Sequence, residues 1–246
     1  RYIQWHYKQH LIRQEQTVQS YKIIPKLALI SFVFMLSACS NADPMTKNNS
    51  PMQQPQPTYD HNSAHLQHSK DYMKAMSQMH TQMRAVESNN VDVAFIQGMI
   101  PHHQGAIDMA TIQLLYGKDP AMRDLANNII ATQKQEIAVM QHWLKTNAAT
   151  VANNNDTNDA IADARKSLKI KDHQNHEAMM AGITDNNPDI AFAKGMIPHH
   201  QGAIDMAEMV LQYSQDTSIK SLANQIKQEQ QSEIAYMKNW LNTKSN

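Results

Sequence analysis

The sequence predicts an all-α protein: a four-helix bundle formed by two duplicated helical hairpins, plus a preceding helix in each half. Three observations carry that expectation. The chain of 246 residues has only 6 glycines and is rich in Ala, Leu, Met, Gln, Lys and Glu, side chains that lose little rotamer freedom in a helix. Residues 92–144 align with 189–241 at a constant offset of 97 without gaps, and 30 of those 53 positions are identical. Apolar residues within each copy recur three and four apart, as a helix with one buried face requires.

The elements follow in order. Residues 1–21 are polar, precede a leader-like segment and read as an upstream extension, excluded from the fold. Lys22 and Lys26 flank an apolar run, Leu27–Leu36, that ends in Leu36-Ser37-Ala38-Cys39. A positive flank, a short apolar stretch and small residues before a cut site describe an export signal over 22–38. Ten apolar residues are too few for a permanent span, which needs roughly 20. The tetrapeptide is similar to a lipobox, which makes Cys39, the single cysteine, the expected lipidation point and places the protein in the periplasm or cell envelope. Residues 39–64 hold few large apolar side chains to offset the entropy of ordering and read as a disordered tether.

The duplicated domain is expected over 65–246, with repeats at about 65–146 and 159–243. In the first copy, helices are expected near 66–88, 91–116 and 120–145. Asp119-Pro120 is a start signal, a capping carboxylate followed by Pro at the first helical position; Asp216-Thr217 stands at the same place in the second copy. Leu125, Ile129, Gln133, Ile137, Met140 and Leu144 form one stripe. Asn147–Asn158 is the linker, and the second copy's preceding helix is expected near 159–183. Each half alone is small for an independent core, which favours one duplicated domain.

Charge excludes one function class. Lys+Arg and Asp+Glu each total 22, without the basic stripe that nucleic-acid binding needs. The unusual counts are 17 Met and 13 His. They concentrate in Gly98-Met99-Ile100-Pro101-His102-His103-Gln104-Gly105-Ala106-Ile107-Asp108-Met109-Ala110, repeated unchanged at 195–207. At about 100° per residue, Met99, His103, Ala106 and Ala110 share one side of the helix, with His102 and Met109 at its edge and Asp108 pointing away. Pro101 removes an amide and clashes with the preceding turn, so a kink or a helix start is expected there. The following helix brings Met140 and Glu136, with Met237 and Glu233 in the second copy; the glutamates are candidates for orienting the histidines. The preceding helices add His80 and Met83 in one half and His176 and Met180 in the other. His142, matched by Asn239, reads as surface.

Thioether and imidazole are donors that select Cu(I), and Ag(I) by its similar softness. Scarce carboxylates disfavour Mg²⁺, Ca²⁺ and Mn²⁺. A lone Met stripe is more often core filler than a ligand set; a His-His pair on a Met-bearing face, present twice, is not the usual filler.

The two 13-residue segments, each followed by Gln-x-x-Glu-Ile-Ala-x-Met-x-x-Trp-Leu at 133–144 and 230–241, resemble the domain-of-unknown-function 305 family over roughly 65–243. The resemblance implies a ferritin-like helical bundle, export and, for some members, periplasmic copper binding and copper tolerance. It carries a ligand role onto Met99, His102, His103 and Met109, and onto Met196, His199, His200 and Met206. The expected function is therefore a non-enzymatic copper buffer or carrier, with copper ions, a membrane reached through the Cys39 lipid and a copper-exchange protein as partners, and no nucleic acid. Two other readings stay open. A ferritin-like metalloenzyme needs Glu-x-x-His motifs, which Glu136-x-x-Val139 and Glu233-x-x-Tyr236 lack. A Met-rich partner-binding bundle is the other.

Overall fold

The computed structural model describes residues 61–86, 88–147, 149–150 and 159–244, all within one compact unit, Gln56–Asn246. The expectations for residues 1–60, Cys39 among them, lie outside the described residues. Six helices run in order: α1 His61–Arg84, α2 Val91–Tyr116, α3 Pro120–Thr146, α4 Asp159–Gly182, α5 Pro188–Tyr213 and α6 Thr217–Lys244. Among the described residues there is no strand, and no helix is long and apolar enough to cross a membrane. The all-α bundle of duplicated hairpins is as the sequence predicts. Helix α1 begins at His61, so residues 61–64, expected in the tether, belong to it.

Short polar side chains set the helix starts. Asn90 Oδ1 accepts from the Asp92 and Val93 amides at 3.0 and 3.1 Å, and Asn187 does the same for Asp189 and Ile190 at 2.9 and 3.4 Å. Asp119 accepts from Ala121 and Met122 at 2.9 and 3.3 Å, and Asp216 from Ser218 and Ile219 at 2.7 and 3.2 Å. Each cap satisfies amides that have no partner inside the helix.

Helices α2 and α5 are central. Each packs against its own half's flanking helices, and the halves meet mainly through α2 against α5. One apolar cluster joins Val91–Met99 of α2 to Ala203–Val210 of α5, and the other joins Ala106–Ala110 of α2 to Ala191–Met196 of α5. The two central helices therefore run antiparallel, N-terminal half against C-terminal half. Glycine allows their approach. A Cβ on Gly195 would lie 3.1 Å from Met109 Cε, and one on Gly98 would lie 3.9 Å from Met206 Sδ, reciprocal contacts related by the offset of 97.

Pro101 and Pro198 start no helix; α2 and α5 continue through both. The missing amide frees the carbonyl four residues earlier. In α5 that carbonyl belongs to Lys194, and Gly182 lies so close that a Cβ there would be 2.6 Å from its oxygen.

The halves are also tied at their edges. Trp143 Nε1 donates to the Asp216 carboxylate at 3.1 Å, and Trp240 hydrogen-bonds Asp119. Each cap is thus held by the other half's tryptophan. Burial alone would raise both carboxyls, but the hydrogen bonds from Lys244, the Met122 amide and Trp240 hold Asp119 below the ordinary range, and those from Ser218, Ile219 and Trp143 do so for Asp216. Asp216→Ala removes a cap and an inter-half acceptor together and should cost about 2 kcal/mol in urea denaturation. A loss below about 0.5 kcal/mol would show that the latch carries no stability.

Candidate metal centre

The repeated segments place their histidines midway along α2 and α5, between the two apolar clusters. His102, His103, His199 and His200 are all buried. His103 Nε2 donates to Glu136 Oε2 at 2.7 Å and His200 Nε2 to Glu233 Oε2 at 2.6 Å. The sequence stripes put each glutamate on the helix facing its histidine. A neutral imidazole that donates from Nε2 presents the lone pair of Nδ1 on its other side. In all four histidines Nδ1 is buried with no hydrogen-bond partner, as is Nε2 of His199.

The copies meet at His102 and His199, whose ring centroids are 4.0 Å apart and whose planes are tilted by 45°. His199 and His200 lie 6.1 Å apart. Burial, reinforced by the neighbouring imidazoles, holds His102 and His199 well below the usual histidine range. Both are therefore neutral, the form in which imidazole binds a metal without releasing a proton.

Thioethers stand on both sides of this layer. Met99, Met140 and Met206 share one core cluster; Met196, Met237 and Met109 share the other. Each set takes two methionines from one half and the third from the other. Among the described residues no group of three His, Cys, Asp or Glu side chains is placed to hold a metal ion. An ion here would need thioether donors beside imidazole, and both flanking clusters hold buried methionines. The di-iron alternative finds no support in the geometry: Val139 and Tyr236, where it requires His, are 54% and 38% exposed.

The remaining expected residues divide. His80 and His176 meet, Nε2 to Nδ1 at 2.7 Å, in a groove also lined by Met180, while Met83 lines a neighbouring cavity with His80 and His102. His142 is exposed. Asp108 bonds only Gln104 on its own helix, but its counterpart differs: Asp205 is buried and held by Lys171 at 3.1 Å and Asn175 at 3.1 Å. Helix α4 covers that face with a cation and an amide, a difference the repeat conceals.

Sequence reasoning missed Glu229. Burial and the nearby Glu136 and Glu233 charges push its carboxyl up to about 7, which places it beside the glutamates that hold His103 and His200. Its counterpart is Thr132, so the repeat gives no signal; the spacing Glu229, Glu233, Met237 on one face of α6 does.

Comparison with known proteins agrees with the repeat. The family described as "Domain of unknown function (DUF305)" matches residues 37–144 and 189–246. "Uncharacterized protein L153" of Acanthamoeba polyphaga mimivirus is 42% identical over 53 residues, 22% of this chain, and the match spans 35% of that protein. Among solved structures, "CopM in the Cu(I)-bound form" is 31% identical with a TM-score of 0.47, covering 63% of this chain and 98% of that one. A "DUF305 fragment from Deinococcus radiodurans" is 25% identical with a TM-score of 0.48, covering 63% and 98%.

His102 and His199 set a pH dependence for the metal-free protein. Their folded-state values lie below the unfolded value of 6.5, so below that pH the unfolded chain takes up protons that the folded chain refuses. Above it both states are neutral and nothing changes. Stability should therefore fall as pH drops from about 6.5, at up to about 1.4 kcal/mol per pH unit for each histidine. Urea midpoints between pH 7.5 and 5 check this, with His102→Gln/His199→Gln as the reference; equal slopes in both proteins would contradict it.

Proposed function

The chain belongs to the family described as "Domain of unknown function (DUF305)", and from that premise we propose that it is a copper-binding protein that holds Cu(I) outside the cytoplasm, as a buffer or carrier rather than an enzyme. One observation carries the reading: a buried layer of four imidazoles with unpartnered Nδ1 atoms, two of them anchored on glutamates, flanked by thioethers from both halves.

The donor chemistry supports a soft ion. Neutral imidazole and thioether favour Cu(I) and Ag(I) over oxygen-seeking cations. Each unpartnered buried nitrogen costs about 1–3 kcal/mol, and a bound ion offsets that cost. Glu136 and Glu233 would fix ring orientation and raise imidazole basicity, as carboxylates behind metal-bound histidines do. Thioethers need no deprotonation and form no disulfides, which suits storage in an oxidising compartment.

The test is an anaerobic competition of the full chain against a chromophoric Cu(I) chelator. Tight binding is expected, weakened at least tenfold by His103→Ala/His200→Ala and roughly 10- to 100-fold by Glu136→Gln. No competition by the wild-type chain would sink the proposal. The export reading rests on Leu36-Ser37-Ala38-Cys39 and is tested separately. Cys39→Ser should move the chain from the membrane fraction to the soluble fraction, and an unchanged distribution would refute the lipid anchor.

A further inference from the structure

We propose that the groove between α1 and α4 is a second soft-metal site, in which His80, His176, Met76 and Met180 take Cu(I) or Ag(I) from solvent at the mouth of a cavity leading to His102. It deepens the function proposed above and rests on reading the buried layer as a copper site.

The groove has a volume of about 620 Å³ and is lined by Met73, Met76, His80, His173, His176 and Met180. Met76 is fully buried and closes the groove on its core side, whereas Met180 and both histidines are only partly buried. Met73 leaves 38% of its surface in solvent. His176 Nδ1 and His80 Nε2 face each other at 2.7 Å, with ring planes at 89° and centroids 4.3 Å apart. One proton lies between the two nitrogens. A soft monovalent ion takes its place if the ring that carries this proton shifts it to its other nitrogen and the rings part by about an ångström, to bring each nitrogen to about 2 Å from the ion. Both rings are only partly buried, so that movement displaces no core.

Charge selects the kind of ion. Arg84, Lys169 and Asp172 also line the groove, two cations against one carboxylate. An oxygen-seeking divalent ion meets net repulsion and one anionic donor; a monovalent soft ion meets neutral sulfur and nitrogen.

The position relative to the buried layer gives the site its role. A cavity of about 320 Å³ shares His80, Arg84, Lys169 and Asp172 with the groove and reaches His102 and Met206. Gly202 leaves His102 Nε2 open on that side, since a Cβ there would lie 3.1 Å from it. The route from the groove therefore passes His80 and then reaches His102.

The experiment titrates Ag(I), which is redox-silent, into the full chain in chloride-free buffer, reading stoichiometry by calorimetry and ring nitrogens by ¹⁵N shifts. The wild-type chain should bind one equivalent more than His80→Ala/His176→Ala, which keeps the buried-layer signals of His103 and His200. Met76→Leu/Met180→Leu conserves volume and should weaken the groove equivalent at least tenfold without changing the helical circular dichroism; it decides the matter if the histidine variant fails to fold. Every equivalent kept at unchanged affinity in both groove variants overturns the groove site while leaving the buried site standing. Loss of all binding in His103→Ala/His200→Ala, with the groove intact, overturns it too. No binding by the wild-type chain overturns both readings.

Discussion

The structure depends on a polar layer that has to be buried. Four imidazoles and Glu136 lie between two apolar clusters, where a charged or unpaired group is costly. The His103–Glu136 and His200–Glu233 bonds make the layer tolerable by giving each carboxylate a donor and each ring a fixed orientation. Everything around them follows from keeping those pairs dry. Alanines at 106, 110, 203 and 207 let the central helices close over the layer, and the clusters above and below exclude water. Nδ1 of all four rings, Nε2 of His199 and Oε1 of Glu136 are left without a hydrogen-bond partner among the described residues.

Duplication explains why two halves are needed to build the layer. A single half supplies one His–Glu pair, and each cluster also draws methionine from across the interface, Met206 beside Met99 and Met140, Met109 beside Met196 and Met237. The same exchange occurs at the helix starts, where Trp143 and Trp240 hold the other half's capping aspartate. Contacts of this kind make the geometry around each half's histidines depend on the other half. His102 against His199 is where the two copies touch within the layer.

Much of this was legible in the sequence because the signals are local. Capping by Asp119 and Asp216, the apolar stripe through Leu125 and Met140 and the placing of Glu136 opposite His103 all follow from helical periodicity and short-range chemistry. What the sequence did not carry is what periodicity cannot encode. Pro101 was expected to kink or start a helix; it starts none, since α2 continues through it, as α5 does through Pro198. The repeat suggested equivalence where the structure has none, at Asp108 and Asp205, because α4 brings Lys171 and Asn175 to only one of the two. Glu229 was hidden for the same reason: Thr132 in the other copy removes the duplication that made its neighbours visible.

These departures from symmetry fall on two faces of the buried layer. A perfectly duplicated site would bury its ion equally from both directions. Here the first copy's histidine opens onto a cavity through Gly202, and that cavity runs to His80. On the opposite, α3–α6 side, Glu229 adds a third carboxyl to the pair that orients the rings, and a carboxyl raised to about 7 is half-protonated near neutrality. It can therefore give or take a proton as charge enters the layer, without a buried net charge having to form. The symmetric residues build the tight, dry donor set; the asymmetric ones supply a way in and a compensating proton. Holding an ion would need the first group alone; the second bears on how an ion would enter.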